Sequence, residues 1–191
     1  RSLNVVERRD GQLALREVKL ECREDNAMDA SRDWMTWATA WEFAAFSFRY
    51  PAQEHVDALE SGQWAAAACE IAEALGASVP EDFAQAAADA AEQARADGAL
   101  DALRTESTRL FIGTPHAVCS PYEGQWRVKG DFRTPLFVNK YSLEVERFCK
   151  ECGFGRPAGT NEPLDHVATE CELLERLALR AAGYAGEEGS D

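Results

Sequence analysis

Between Glu106 and Trp126 a run of helix formers meets Gly113, Thr114, Pro115, Ser120, Pro121 and Gly124. No helix continues easily through that set, so the chain must break here. An ordinary solvated connection would not carry Phe111, Ile112, Val118, Tyr122 and Trp126. Either this segment packs inward or it receives something.

Helical patterns flank the break. Ser31 can cap a helix in which Trp34, Trp37, Ala38, Trp41, Ala44, Ala45 and Phe48 recur at helical spacing before Pro51. Large residues at such spacing point to a core, so this stripe is expected to be buried. Gln53 to Glu60 reads as a short helix, and Ser61 can cap another from Trp64 to Leu75 that stops at Gly76. Pro80, Glu81 and Asp82 open an alanine-rich helix to about Asp97. After Gly98, Ala99 to Phe111 presents Leu100, Leu103, Leu110 and Phe111 up to the break.

Beyond it, Thr134-Pro135 can start a helix whose apolar side is Leu136, Val138, Tyr141, Val145 and Phe148. Gly155 to Asn161 forms a linker. A last helix from Pro163 turns Val167, Cys171, Leu174, Leu177 and Ala178 toward a core until Gly183. Residues 1–31 form an N-terminal extension. Its short alternating runs, Leu13 and Leu15, then Val18, Leu20 and Cys22, permit strand, while Arg16, Glu17, Lys19 and Glu21 permit helix. Residues 32–183 make one helical domain, and 184–191 read as a flexible acidic tail.

The 191 residues, 46% of them hydrophobic, suffice for one domain with a core. A formal net charge of -14 argues against a nucleic-acid partner and suits a basic peptide. Charges interrupt every candidate membrane span, and Arg1 to Met28 lacks the apolar centre of a secretory signal, so a cytoplasmic location is expected. The six cysteines are even in number, but a chain this rich in apolar residues does not need disulfides. Reduced thiols are expected.

Arg-Leu-Phe-Ile-Gly-Thr-Pro at 109–115, Ser-Pro-Tyr-Glu at 120–123 and Glu-Pro-Leu-Asp-His-Val-Ala-Thr-Glu at 162–170 resemble motifs of the TorD/DmsD/NarJ family of redox-enzyme maturation chaperones. Ser107, Gly124 and Cys171 depart from a family pattern that has Tyr, Ser and Leu there. The resemblance extends more loosely from about Asp33 to Ala182. It implies an all-α fold, a single-domain helical bundle of the TorD/DmsD-like type. It also implies binding of a twin-arginine leader and of the folded body of a molybdoenzyme client. The leader-binding residues so implied are Leu110, Phe111, Pro121, Tyr122, Glu123, Trp126, Asp165, His166 and Glu170: apolar walls for an apolar stretch, and carboxylates for guanidinium groups. The cofactor would belong to the client, and none is expected in this chain. Family members usually continue into further C-terminal helices, so some apolar surface of the early helices is expected to need cover. A partner chain, the first 31 residues or a further C-terminal part would supply it, and a homodimer is left open.

From residues alone, other readings stand beside this one. His166 and Glu170, four apart, share a helix face, and Asp165 in a first turn would simply suit the helix dipole. Tyr122 and Trp126 can serve simply as anchors of a long connection. Cys149-Lys150-Glu151-Cys152 has the spacing of zinc and thiol-redox sites, although no second such pair accompanies it and it falls at a helix end. Ser120, His116 and Asp165 can be assembled into a triad only by assuming geometry. No phosphate-binding, nucleophile-elbow or His-Glu-x-x-His motif is present, so no catalysis is expected. The rival functions are a helical protein adaptor that ignores leaders, and a zinc or redox protein using Cys149 and Cys152.

Overall fold

A computed structural model describes residues 2–9, 12–19, 27–96, 98–113, 117–127, 139–155 and 163–184. The N-terminal extension forms an antiparallel pair, β1 (Ser2–Arg9) and β2 (Gln12–Lys19), in a register that sets Ser2 opposite Lys19 and Arg9 opposite Gln12. The rest of the described chain is helical, as expected: α1 (Ala27–Phe48), α2 (Gln53–Glu60), α3 (Gln63–Ala74), α4 (Phe83–Ala96) and α5 (Ala99–Ser107) precede the break. A π-helical turn (Thr108–Ile112), then α6 (Glu123–Arg127), α7 (Lys140–Glu151) and α8 (Val167–Ala181) follow. The backbone is already helical at Ala27, so Ser31 lies inside α1 rather than at its cap.

Among the described elements the most extensive contact is between α1 and α8. Ala38 and Ala45 are buried on α1, and Ala168, Cys171 and Ala178 on α8. Small buried side chains on both helices let the two backbones come close. That closeness corrects the expectation of a buried aromatic stripe. Trp34 and Trp37 are 45% and 43% exposed, and Phe48 is exposed too. Indoles do not fit a seam of alanines, so they turn outward, where Trp37 stacks on Trp41 at 6.0 Å between ring centroids. Arg49, just past the end of α1, pairs with Glu172 of α8 at 2.6 Å, an exposed contact of at most about 1 kcal/mol.

Aromatic contacts join the early helices. Trp64 of α3 meets Phe43 of α1 and Phe83 of α4, and its indole N–H donates to Ser47 Oγ at 3.0 Å. His55 is buried in α2 with its ring stacked on Phe46. Its Nδ1 accepts the Ala52 N–H at 3.1 Å, so Nε2 carries the hydrogen and donates to the Phe46 carbonyl at 2.9 Å. His55→Ala would strand both backbone groups and open a cavity. It is expected to destabilise by about 2 kcal/mol, measured by urea unfolding.

Two helix starts and one helix end explain the remaining local differences. Gly62, not Ser61, occupies the N-cap of α3, because Ser61 closes α2 and donates its hydroxyl to the Ala58 carbonyl. Asn139 caps α7 through bonds from Tyr141 and Ser142 N–H, and the Ser142 hydroxyl accepts from the Asn139 N–H. The expected start at Thr134-Pro135, with Leu136 and Val138, lies outside the described residues, as do His116, most of the Gly155 to Asn161 linker and residues 185–191. At the end of α7, Gly153 adopts φ +71°, which lets the Phe154 N–H reach the Cys149 carbonyl at 2.8 Å. Phe154 thereby packs on Cys149, Leu164 and Leu173 in a buried cluster.

Candidate functional site

The break is built as a joint. The π-helical turn widens the end of α5, and its Leu110 carbonyl accepts the Cys119 N–H at 2.8 Å, fixing the far side of the loop to the helix it left. Phe111 meets Phe48 of α1 edge-on at 6.2 Å. The chain then enters Pro121-Tyr122-Glu123, which lies antiparallel to Asp165-His166-Val167. Val167 N–H donates to the Pro121 carbonyl at 2.8 Å, and Glu123 N–H to the Asp165 carbonyl at 2.9 Å. Tyr122 and His166 stand opposite each other with rings edge to face at 5.3 Å. The two sequence motifs, some forty residues apart, are thus one ladder of backbone bonds.

Asp165 is the centre of this joint. It is 1% exposed, and its Oδ2 accepts the Gly124 N–H at 3.0 Å while its own carbonyl takes the Glu123 N–H. One residue therefore satisfies two of the N–H groups that a helix start leaves open. Burial raises its acid pKa, opposed by the backbone N–H bonds it accepts. Sequence reasoning placed Asp165 in the first turn of the last helix. The helix instead begins at Val167, with His166 as N-cap accepting the Ala168 N–H through Nδ1. Gly124 is buried between these groups. A Cβ there would sit 2.5 Å from Asn139 Nδ2 and 2.8 Å from Asp165 Oδ2, which accounts for glycine where the resembling motif has serine.

Beside the joint an open groove of about 320 Å³ separates α6, α7 and α8. Glu123 and Arg127 line it from α6, Glu144, Val145 and Phe148 from α7, and Glu170, Leu173 and Leu174 from α8. Arg127 pairs with Glu123 at 2.9 Å and lies over the Tyr141 ring at 4.6 Å. Glu170 shares a side-chain hydrogen bond with Glu123, while its Oε1 is shielded from solvent and has no hydrogen-bond partner among the described residues. Burial first, and then the Glu123 carboxylate and Asp165, push the Glu170 acid up to about 8, with Arg127 opposing.

Of the nine residues singled out in the sequence, the structure unites Pro121, Tyr122, Glu123, Asp165, His166 and Glu170. Only Glu123 and Glu170 line the groove. Leu110 and Phe111 hold the loop to α5 and α1, and Trp126 is 61% exposed with its indole N–H on the Ser120 carbonyl at 2.8 Å. Arg127 and Glu144 escaped the sequence reading. Phe148 and Leu174, expected to face a core, are exposed at the groove instead.

The five described cysteines are free thiols. Cys149 is 0% exposed in the Phe154 cluster, and burial raises its thiol pKa, with neighbouring Cys152 adding to the effect. Such a sulfur is shielded from oxidants and metals alike. Among the described residues no group of three or more His, Cys, Asp or Glu side chains is arranged to hold a metal ion. No helix described is long and apolar enough to cross a membrane.

Comparison with known proteins returns no matching curated protein and no matching solved structure. The family model described as nitrate reductase delta subunit matches residues 63–189, which include the break, the joint and the groove. The match covers well over half of the chain, and it falls on the helical architecture and motif order described above. The chain belongs to the nitrate reductase delta subunit family, the NarJ/TorD-type group of molybdoenzyme maturation chaperones that its motifs resemble.

Proposed function

We propose that this chain binds the twin-arginine leader and the apo form of a molybdopterin-containing oxidoreductase of the dimethyl-sulfoxide-reductase type in the cytoplasm. It holds the client until cofactor is inserted and export is safe. The observation that carries this reading is the pair Glu123 and Glu170, two carboxylates in a groove whose other walls are Val145, Phe148, Leu173 and Leu174, in a chain of net charge -14. A guanidinium group takes charge-assisted, bidentate bonds from a carboxylate, and an apolar leader segment is buried by the walls. Burial of about 200–400 Å² of leader surface at about 25 cal/mol per Å² gives a gross 5–10 kcal/mol, much of it offset by ordering the peptide.

In this reading Pro121, Tyr122, Asp165 and His166 act by holding the backbone that presents Glu123 and Glu170. Leu110, Phe111 and Trp126 extend the apolar contact along a longer leader. Withholding export needs no reaction: occupied arginines are unavailable to the translocase.

Titration calorimetry of the purified protein with a leader peptide is expected to give micromolar or tighter binding. A twin-lysine variant is expected to bind about tenfold or more weakly, because lysine cannot form the planar fork. A flat trace with the native leader would remove leader recognition while leaving family membership intact. One observation favours the adaptor as a second reading: the exposed Trp34 and Trp37 of α1. In that case the folded client body would bind and the leader alone would not.

A further inference from the structure

We propose that the groove between α6, α7 and α8 admits one arginine side chain of the client at Glu170, and that this guanidinium enters in exchange for a proton held between Glu170 and Glu123. The inference rests on the proposed leader recognition and assigns the cationic subsite and its control. Its first support is geometric. Glu123 and Glu170 line the same groove, and two carboxylates sharing one site do not both ionise readily. Glu123 is held in an ion pair with Arg127 at 2.9 Å, so Glu170 is the carboxyl left to hold the proton.

The second support is the unmet polar atom. Glu170 shares a side-chain hydrogen bond with Glu123, which needs a proton between the two carboxyls, while its Oε1 has no solvent and no hydrogen-bond partner among the described residues, a costly state for a carboxylate and a milder one for a neutral acid. A guanidinium that enters from the groove and parts Glu170 from Glu123 supplies the missing donors and the opposite charge together. The occupant is therefore a cation with an apolar stem, which the walls formed by Phe148, Leu173 and Leu174 match.

The charges around Glu170 agree. Glu123 and Arg127 face it from α6, Glu144 stands across the groove on α7, and Asp165 and His166 lie at the base of α8. On the adjoining turns of α8, Arg49, just past α1, is engaged by Glu172, and Glu42 of α1 acts on Glu175. Cys149 on α7 also feels Glu170. Among the described residues Arg127 is the one cation that lines the groove, and it opposes but does not cancel the upward shift of Glu170 to about 8.

The step balances simply: Glu170 releases a proton to buffer, and the entering guanidinium, itself charged at any working pH, takes its place. The test is calorimetry with an N-acetylated leader peptide free of His and Cys, in buffers of different ionisation enthalpy near pH 7. About one proton is expected to be released per peptide bound, and affinity is expected to rise about tenfold per unit between about pH 6 and pH 8 before levelling. Glu170→Gln should abolish both effects and weaken binding, while Glu144→Gln should retain them. Tight binding with a buffer-independent enthalpy would overturn the proton exchange and leave leader recognition standing. Proton release retained in Glu170→Gln would overturn the assignment of the subsite. Absence of binding to the wild-type protein would overturn both readings.

Discussion

Replacing Gly124 with alanine is expected to destabilise the protein by about 2–4 kcal/mol, the sum of local overpacking and a weakened helix cap. The added methyl would arrive 2.5 Å from Asn139 Nδ2, 2.8 Å from Asp165 Oδ2 and 2.9 Å from Asn139 Oδ1. Both side chains are already engaged. Asn139 holds the first N–H groups of α7, and Asp165 is buried with its Oδ2 on Gly124 itself. The same substitution should therefore disturb three elements at once: α6, the start of α7 and the turn before α8. Chemical denaturation gives the stability change, and hydrogen exchange at the Glu123, Gly124 and Val167 amides reports whether the ladder opens locally. Unchanged stability with unchanged protection would mean that the joint tolerates a shift of its parts.

Stability is expected to fall as pH rises from about 5 to about 8, and Glu170→Gln should flatten much of that slope. The folded protein raises the Glu170 acid to about 8, above the value of about 4.3 that an unfolded chain gives. Between those limits the folded state holds a proton that the unfolded state has lost, so each step toward alkaline pH favours unfolding. One proton held by the folded state alone costs about 1.4 kcal/mol per unit, and the partial exposure of Glu170 narrows the pH span over which that slope runs. Asp165 adds to the trend in the same direction, since burial raises it as well. Glutamine keeps the shape and removes the titration, and it is expected to stabilise by about 1–3 kcal/mol near pH 8 while changing little near pH 5. Urea midpoints across that range decide it: parallel curves for wild type and variant would exclude Glu170 as the source.

The helices were legible where punctuation is local. Gln53 to Glu60 lies between Pro51 and Ser61, and the structure places α2 on those residues. Gly76 ends α3 with φ +68°, the conformation for which glycine was read there. The N-terminal hairpin was half legible: the alternating runs permitted strand, and the Asp-Gly between Arg9 and Gln12, a favoured two-residue hairpin connection, was the signal passed over. What periodicity does not contain is the identity of the neighbour. Trp34, Trp37 and Ala38 share similar spacing, and only the close approach of α8 decides that alanine goes inside. At the site, motif order pointed to the region, and the bonds uniting Pro121 with Val167 and Glu123 with Asp165 are what bring the two motifs together. The groove itself needed α7, whose Glu144 and Phe148 carry no local mark of a surface role.

The helix that lies most fully along α8 begins at Ala27 and ends at Phe48, ahead of the stretch matched by the family model. Homology and mechanical integrity therefore divide this chain at different places. A fragment trimmed to residues 63–189 would retain Glu123, Glu144, Asp165 and Glu170 and yet strip the sheath from Ala168, Cys171 and Ala178. Whatever surrounds the shared segment is, in this protein, part of what keeps its recognition chemistry upright.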